Sequence, residues 1–320
     1  MSKAKTAVYV GIAANILIAV TKFAAALATR SSAMVAEGVH SIVDAGDGLL
    51  LLLGQHRAAQ PADDEHPLGH GKELYFWSLI VAVLFFALGS GMSFYEGIQH
   101  ILHPEPIADP MWNYIVLGAA TLFTLASFAV AFKEFRKRRG GRSYWQTFRE
   151  SKDPTLFTLV LEDLADLVGL SLAFVGVYLS RLLDKPYLDG AASVGVGVVM
   201  TAVAILLARE SKGLLVGEAA TAEQRKAIRR VASDDEAVLG VRRLVTMYFG
   251  PGTMLIALDV QFRPQLNGGG VAAAVVRMEA RIRSLRTENM HIYIEATSLA
   301  GATGGHGDAG SAVADEDAGS

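Results

Sequence analysis

The sequence predicts an α-helical membrane protein with six transmembrane helices, followed by a small C-terminal α+β domain. Three observations carry this prediction. Of the 320 residues, 52% are hydrophobic and only 19% are charged, whereas soluble domains carry roughly a quarter charged residues. The long apolar runs are confined to the first two thirds of the chain, and after Ser211 the pattern changes to short alternating and helical stretches. The charge is nearly balanced, 29 Lys+Arg against 32 Asp+Glu for a net -3, so the basic excess that nucleic-acid binding needs is missing. With no cysteine, disulfides, thiolate nucleophiles, iron–sulfur clusters and Cys-based zinc sites are excluded. A metal must be held by His, Asp, Glu or carbonyl oxygen, and no cofactor is expected.

Apolar runs lie at residues 7–29, 33–54, 75–97, 112–132, 155–182 and 188–208, each reaching the ~20 residues that a spanning helix needs. The first lacks the short core and small-residue cleavage site of a signal peptide and is followed at once by another run, so it is read as retained. Between the fourth and fifth runs lie Lys133, Arg136, Lys137, Arg138, Arg139, Arg142, Arg149 and Lys152, which the positive-inside rule places in the cytoplasm. Both termini and the loop between helices two and three then face the cytoplasm too. For a bacterial source the membrane would be the inner one. The cluster at 136–139 suits anionic lipid headgroups.

The expected division is a transport domain at 1–210, a soluble α+β domain at 211–298 and a disordered, Gly/Ala/Ser/Asp-rich tail at 299–320. Within the soluble part a helix is expected over 221–232, with Thr221 as N-cap and Glu223 in its first turn. Alternation over 241–249 and 253–262 around Gly250-Pro251-Gly252 predicts a hairpin. A helix over 271–285 and a last strand over 290–296 follow.

An ionisable side chain inside a spanning helix costs at least about 2.5–3.5 kcal/mol at the bilayer centre. Helix two nevertheless carries Glu37, His40, Asp44 and Asp47, and the i, i+4, i+7 spacing of the last three puts them on one face. Helix five carries Glu162, Asp163 and Asp166, at least two of which share a face. Two acidic faces repel unless positive charge lies between them. A divalent cation held by carboxylates and one imidazole resolves this, and ligands that release protons on binding metal would couple the two. A proton relay and simple polar contacts between helices are the other readings. In the loop between helices two and three, Asp63, His66 and His70 could hold a metal in a turn that Pro67 and Gly69 keep non-helical.

The run from Glu37 to Asp44 resembles the HxxxD motif in the second helix of the cation diffusion facilitator family of divalent-metal transporters. Residues 63–72, Asp-Asp-Glu-His-Pro-Leu-Gly-His-Gly-Lys, resemble that family's DDxHxxGHGK loop. The likeness extends to 161–169 in helix five, to Tyr187-Leu188-Asp189 and to Leu214-Leu215-Val216-Gly217-Glu218. It implies a homodimer that exports Zn²⁺, or Mn²⁺, Fe²⁺ or Co²⁺, from the cytoplasm in exchange for protons. In each protomer six helices would precede a metallochaperone-like, ferredoxin-like cytosolic domain that dimerises. By position His40 and Asp44 would be the ligands of helix two and Asp163 that of helix five. The loop trio is similar to an ancillary zinc site of some members.

Two departures bear on the metal. The family's HxxxD in helix five would place its His at Leu159, which cannot bind metal, so Glu162 or Asp166 is the expected replacement. Reading Glu162-xxx-Asp166 as the motif instead would leave Asp163 outside. Exchanging imidazole for carboxylate hardens the site and moves preference from Zn²⁺ toward Mn²⁺, Fe²⁺ or Co²⁺. Tyr248 and Phe249 stand where zinc-binding members often have a His, so the C-terminal domain is expected to fold and dimerise through packing without the usual metal cluster. The mechanism expected is alternating access around His40, Asp44 and Asp163, with Asp47 and Asp166 as a second polar layer. A channel or a membrane-bound metal-dependent enzyme are the rivals, the latter lacking any nucleophile or oxyanion motif beside the site.

Overall fold

The computed structural model describes residues 3–29, 32–103, 110–139, 141, 143–285 and 289–297. The tail expected to be disordered, 299–320, lies outside the described residues, as does Arg142. The helices are α1 (Lys3–Thr29), α2 (Ser32–Ala58), α3 (Glu73–Leu84), a π-helical segment (Phe85–Ser90), α4 (Gly91–Leu102), α5 (Pro110–Arg138), α6 (Tyr144–Glu150), α7 (Pro154–Leu182) and α8 (Tyr187–Val216). The six expected spans correspond to α1, α2, the continuous Glu73–Leu102 helix, α5, α7 and α8. Among the described residues, four stretches are long and apolar enough to cross a membrane: Thr6–Ala25, Glu73–Leu102, Tyr114–Lys137 and Tyr187–Val216. Helices α2 and α7, with 27 and 29 residues, have the length, and their acids lower the apolar average. Large apolar side chains such as Val20, Leu122, Phe174, Val198 and Ile205 are exposed on the helices, as suits a lipid-facing surface.

Local chemistry sets the helix ends. Asp153 caps α7, its carboxylate accepting from the Thr155 N–H at 3.2 Å, with Pro154 in the first turn as helix starts prefer. Helix α6, in the basic segment expected as loop, starts on Ser143, whose hydroxyl accepts from the Gln146 N–H. Its seven residues are too few to show a helical period. The bundle core near these ends is built from Val8, Leu51, Tyr75, Leu156, Phe157, Leu207 and Leu214.

Helices α4 and α8 meet backbone to backbone at Gly97 and Gly190. A Cβ on Gly97 would lie 2.7 Å from the Val194 N and 2.8 Å from the Gly190 carbonyl, and one on Gly190 would lie 2.7 Å from the Gly97 carbonyl. Small residues permit such close approach of membrane helices. Main-chain atoms cannot swing aside, so Gly190→Val should cost about 1–3 kcal/mol or more through overpacking, read as a lowered unfolding temperature in detergent. A thermal midpoint unchanged by the substitution would contradict the packing.

Within the middle helix the backbone widens to a π turn at Phe85–Ser90, where the Ser90 hydroxyl donates to the Gly197 carbonyl at 2.9 Å. Single π turns recur beside functional sites. Here the turn includes Gly89, whose missing side chain leaves the backbone close to His40: a Cβ would lie 3.5 Å from His40 Cε1.

The described residues divide into two compact units, those up to 218 together with 248–253, and those of 219–247 together with 254–297. The second holds α9 (Ala222–Ser233), most of β1 (Val238–Gly250), β2 (Thr253–Phe262), α10 (Gly268–Ser284) and β3 (Asn289–Thr297), the strands forming a sheet in the order β1-β2-β3. Thr221 and Gln224 form a reciprocal capping box at α9. Strand β2 buries Met254, Ile256, Leu258, Val260 and Phe262 in strict alternation, and Ile228, Ala232, Ala274, Met278 and Ile282 are buried apolar residues of the helices. Arg277 clamps Asp235 with two bonds, at 3.1 and 2.9 Å. The guanidinium, with the Ala237 N–H, holds the Asp235 carboxyl below its usual range. The clamp's contribution is therefore present above the ordinary Asp range and is lost as pH falls through the lowered value.

Candidate metal centre

Helices α2 and α7 bring their acids to one small cavity. It is lined by Asp44, Asp47, Glu162, Asp163 and Asp166, with Gly11, Ile12, Asn15, Gly48, Phe85 and Leu159 completing the wall, and its volume is about 20 Å³. That is room for one water-sized guest, since a single such sphere needs ~10–15 Å³. All three α7 acids that the spacing leaves as alternatives line it together. Asp47 and Asp163 are buried. One Asp163 oxygen accepts from Ser127 of α5 at 2.9 Å. Glu162 Oε1 is buried with no hydrogen-bond partner; an orphaned buried acceptor of this kind points to an absent donor or cation. Five carboxylates this close need positive charge among them, which a divalent ion or protons can supply.

His40 stands beside this cavity, not in its wall. Its Nε2 lies 3.7 Å from Asp44 Oδ2, and it lines a second, wider cavity of about 170 Å³ together with Lys22, Ser41, Asp44, Glu96 and Asp166. Asp44 and Asp166 thus line both spaces. A guest passing between them stays within reach of a carboxylate, and His40 joins the set only on the wider side. Glu37, the remaining acid of the second span, has a side chain outside the described ones.

Several residues of the site escaped sequence reasoning. Lys22 of α1 is buried and donates to Ser41 Oγ at 3.1 Å, and Asn15 lines both cavities. Lys22 carried a usable signal, a charge inside an apolar run. Ser127 and Asn15 carried none, because one uncharged polar residue in a spanning helix is ordinary. His100, given no role from sequence, lies 3.5 Å from Asp189.

The loop trio is also assembled. Ligand atoms of Asp63, His66 and His70 lie within 4.8 Å of one another; Asp63 is 3.3 Å from His66 Nδ1 and 3.4 Å from His70 Nε2. Gly69, at φ +82°, turns the chain so that both rings face the carboxylate, a conformation glycine adopts without strain. The backbone N–H of His66 donates to Asp63 Oδ1 at 2.6 Å and is the main cause that holds the Asp63 carboxyl below its usual range. His70 Nδ1 is 3.1 Å from the Pro61 carbonyl. With the proton on that nitrogen, Nε2 presents its lone pair toward Asp63, the arrangement that supports metal-binding histidines. A metal ion held by this trio would compete with protons for both imidazoles, so any Zn²⁺ bound here should be held less tightly on acidification. Titrating Zn²⁺ at two pH values into full-length protein and into a His66→Ala/His70→Ala variant measures this. Equal binding in both proteins would rule the loop out.

The sequence profile of the cation efflux transmembrane domain family matches residues 8–216. The human mitochondrial proton-coupled zinc antiporter SLC30A9 is 31% identical over 257 residues, which are 80% of this chain and 45% of that protein. The chain therefore spans less than half the length of that relative. The cation-efflux pump FieF of Cronobacter sakazakii is 30% identical over 253 residues, 78% of each chain. Magnetosome protein MamM of Paramagnetospirillum magneticum is 25% identical over 90% of this chain and 87% of its own.

Proposed function

The chain belongs to the cation diffusion facilitator, or cation efflux, family, and from that premise we propose that it is a transporter exporting divalent metal cations from the cytoplasm in exchange for protons. Zn²⁺ is the first candidate, because the human relative is named for it; Mn²⁺, Fe²⁺ and Co²⁺ follow from the carboxylate-rich donor set. The observation that carries the reading is the cavity sized for one ion between α2 and α7, lined by five carboxylates within the helical bundle. Asp44, Asp163 and Glu162 or Asp166 hold the ion, His40 completes the set from the wider cavity, and Asp47 belongs to the second polar layer.

The transport cycle follows from ligand chemistry. Deprotonated carboxylates and neutral imidazole bind the ion from the cytoplasmic side. The helix pair then rocks so that the site opens to the far side. There protons compete for the same oxygens and for His40, and the ion leaves. In this reading that loop, both termini and the Asp63 loop lie in the cytoplasm, which the basic residues from Lys133 to Lys152 support. The transporter works as a homodimer in this reading, supported by the exposed Leu239, Val245 and Tyr293 on the strands of the C-terminal domain.

Purified protein in sealed vesicles tests the central claim. An imposed pH difference should drive Zn²⁺ uphill, and a protonophore should stop it. Flux that runs only down the Zn²⁺ gradient and ignores pH would mean a channel.

A further inference from the structure

Lys22 has no place in the cycle just described, and its position is costly. A buried ammonium within a spanning helix is destabilising unless anionic neighbours offset it. It is buried on α1, on one face with Asn15 seven residues earlier, and both line the wider cavity beside His40, Asp44, Glu96 and Asp166. Its ammonium donates to the Ser41 hydroxyl at 3.1 Å. Ser41 follows His40 directly in α2 and lies three residues before Asp44, so the charge is anchored next to the helix-two pair.

We propose that Lys22 tunes affinity at the transport site: a tethered cation whose fixed charge offsets the carboxylates when the ion is absent and weakens ion binding enough to speed release. The inference rests on the metal-site reading above. A carboxylate array with no internal cation would hold a divalent ion more tightly and yield it to protons less readily, since at short range in a poorly screened interior each opposite charge adds strongly to binding. Lys22 repels the arriving ion and is the counter-charge that remains after it departs. A lysine serves this better than a metal ligand because its ammonium has no lone pair and cannot coordinate.

Zn²⁺ titration of the full-length protein in detergent tests this, in a His66→Ala/His70→Ala background so that the loop adds no signal. Lys22→Gln should bind Zn²⁺ about ten- to a hundredfold more tightly, the size expected for deleting one nearby charge. In vesicles its KM and kcat for Zn²⁺ should both fall. Lys22→Arg, which keeps the charge, should stay near the parent in each measurement. Unchanged or weaker binding by Lys22→Gln overturns the proposal, and so does a Lys22→Arg protein that behaves like Lys22→Gln. Asp44→Asn separates the two layers of inference. If it binds Zn²⁺ like the parent, the metal-site reading itself fails; if it loses Zn²⁺ while Lys22→Gln is unchanged, only the role of Lys22 fails.

Discussion

Asp44→Asn should reduce pH-driven Zn²⁺ flux by at least about a hundredfold, the loss expected when one charged ligand is removed from a small anionic site. Asp44 is the residue placed to cause it. It lines both cavities, as Asp166 does, and lies 3.7 Å from His40, so it is within reach of an ion in either space. The amide keeps the shape and one acceptor oxygen but removes the charge. Stability should move the other way. Relieving repulsion among buried like charges leaves the fold as stable or more so, the usual exchange between activity and stability at a functional site. Vesicle flux and thermal unfolding measured on the same preparation check both halves. Flux within about twofold of the parent would show that the ion takes another route.

Asp47→Asn provides the contrast. Asp47 is buried and lines the small cavity but not the wider one. We propose that the second polar layer to which it belongs passes protons, so its substitution should change the pH dependence of transport more than Zn²⁺ affinity.

What the sequence revealed follows from the strength of each physical signal. Carboxylates at helical spacing in α2 and α7 stand out because lipid penalises them heavily. The hairpin around Gly250-Pro251-Gly252 and the alternation of β2 stand out because period two is unmistakable over ten residues. The partners of those carboxylates were less legible. Ser127 reaches Asp163 from 36 positions away, and nothing along the chain marks it over Thr121 or Thr124 of α5 as a partner. The π turn at Phe85–Ser90 leaves no mark in composition. Likewise the spacing makes Glu162, Asp163 and Asp166 competitors, since about 100° separates Glu162 from Asp163 on an ideal wheel. In three dimensions the opposing acidic face of α2 and the wall from α1 enclose a space that all three reach.

Leu159→His should sharpen the preference for Zn²⁺ over Mn²⁺. Leu159 is buried and forms part of the wall of the small cavity, one turn before Asp163. An imidazole there would complete the His-xxx-Asp pair that the resemblance leads one to expect in this helix. Zn²⁺ favours imidazole nitrogen more than Mn²⁺ does, and the Irving–Williams order already places Zn²⁺ above Mn²⁺ at mixed N/O sites. The Zn²⁺-to-Mn²⁺ affinity ratio should therefore rise by about ten- to a hundredfold, comparable with gaining one good ligand. The new side chain is polar, but carboxylates stand within the same cavity to accept from it, so the fold should tolerate the change. Titrations with each metal alone, before and after the substitution, give the ratio. A ratio that does not move would place position 159 outside the coordination sphere and shift the helix-five site toward Glu162 and Asp166. A rise that disappears when Asp163→Asn is added would instead show that the introduced imidazole and the Asp163 carboxylate grip the same ion.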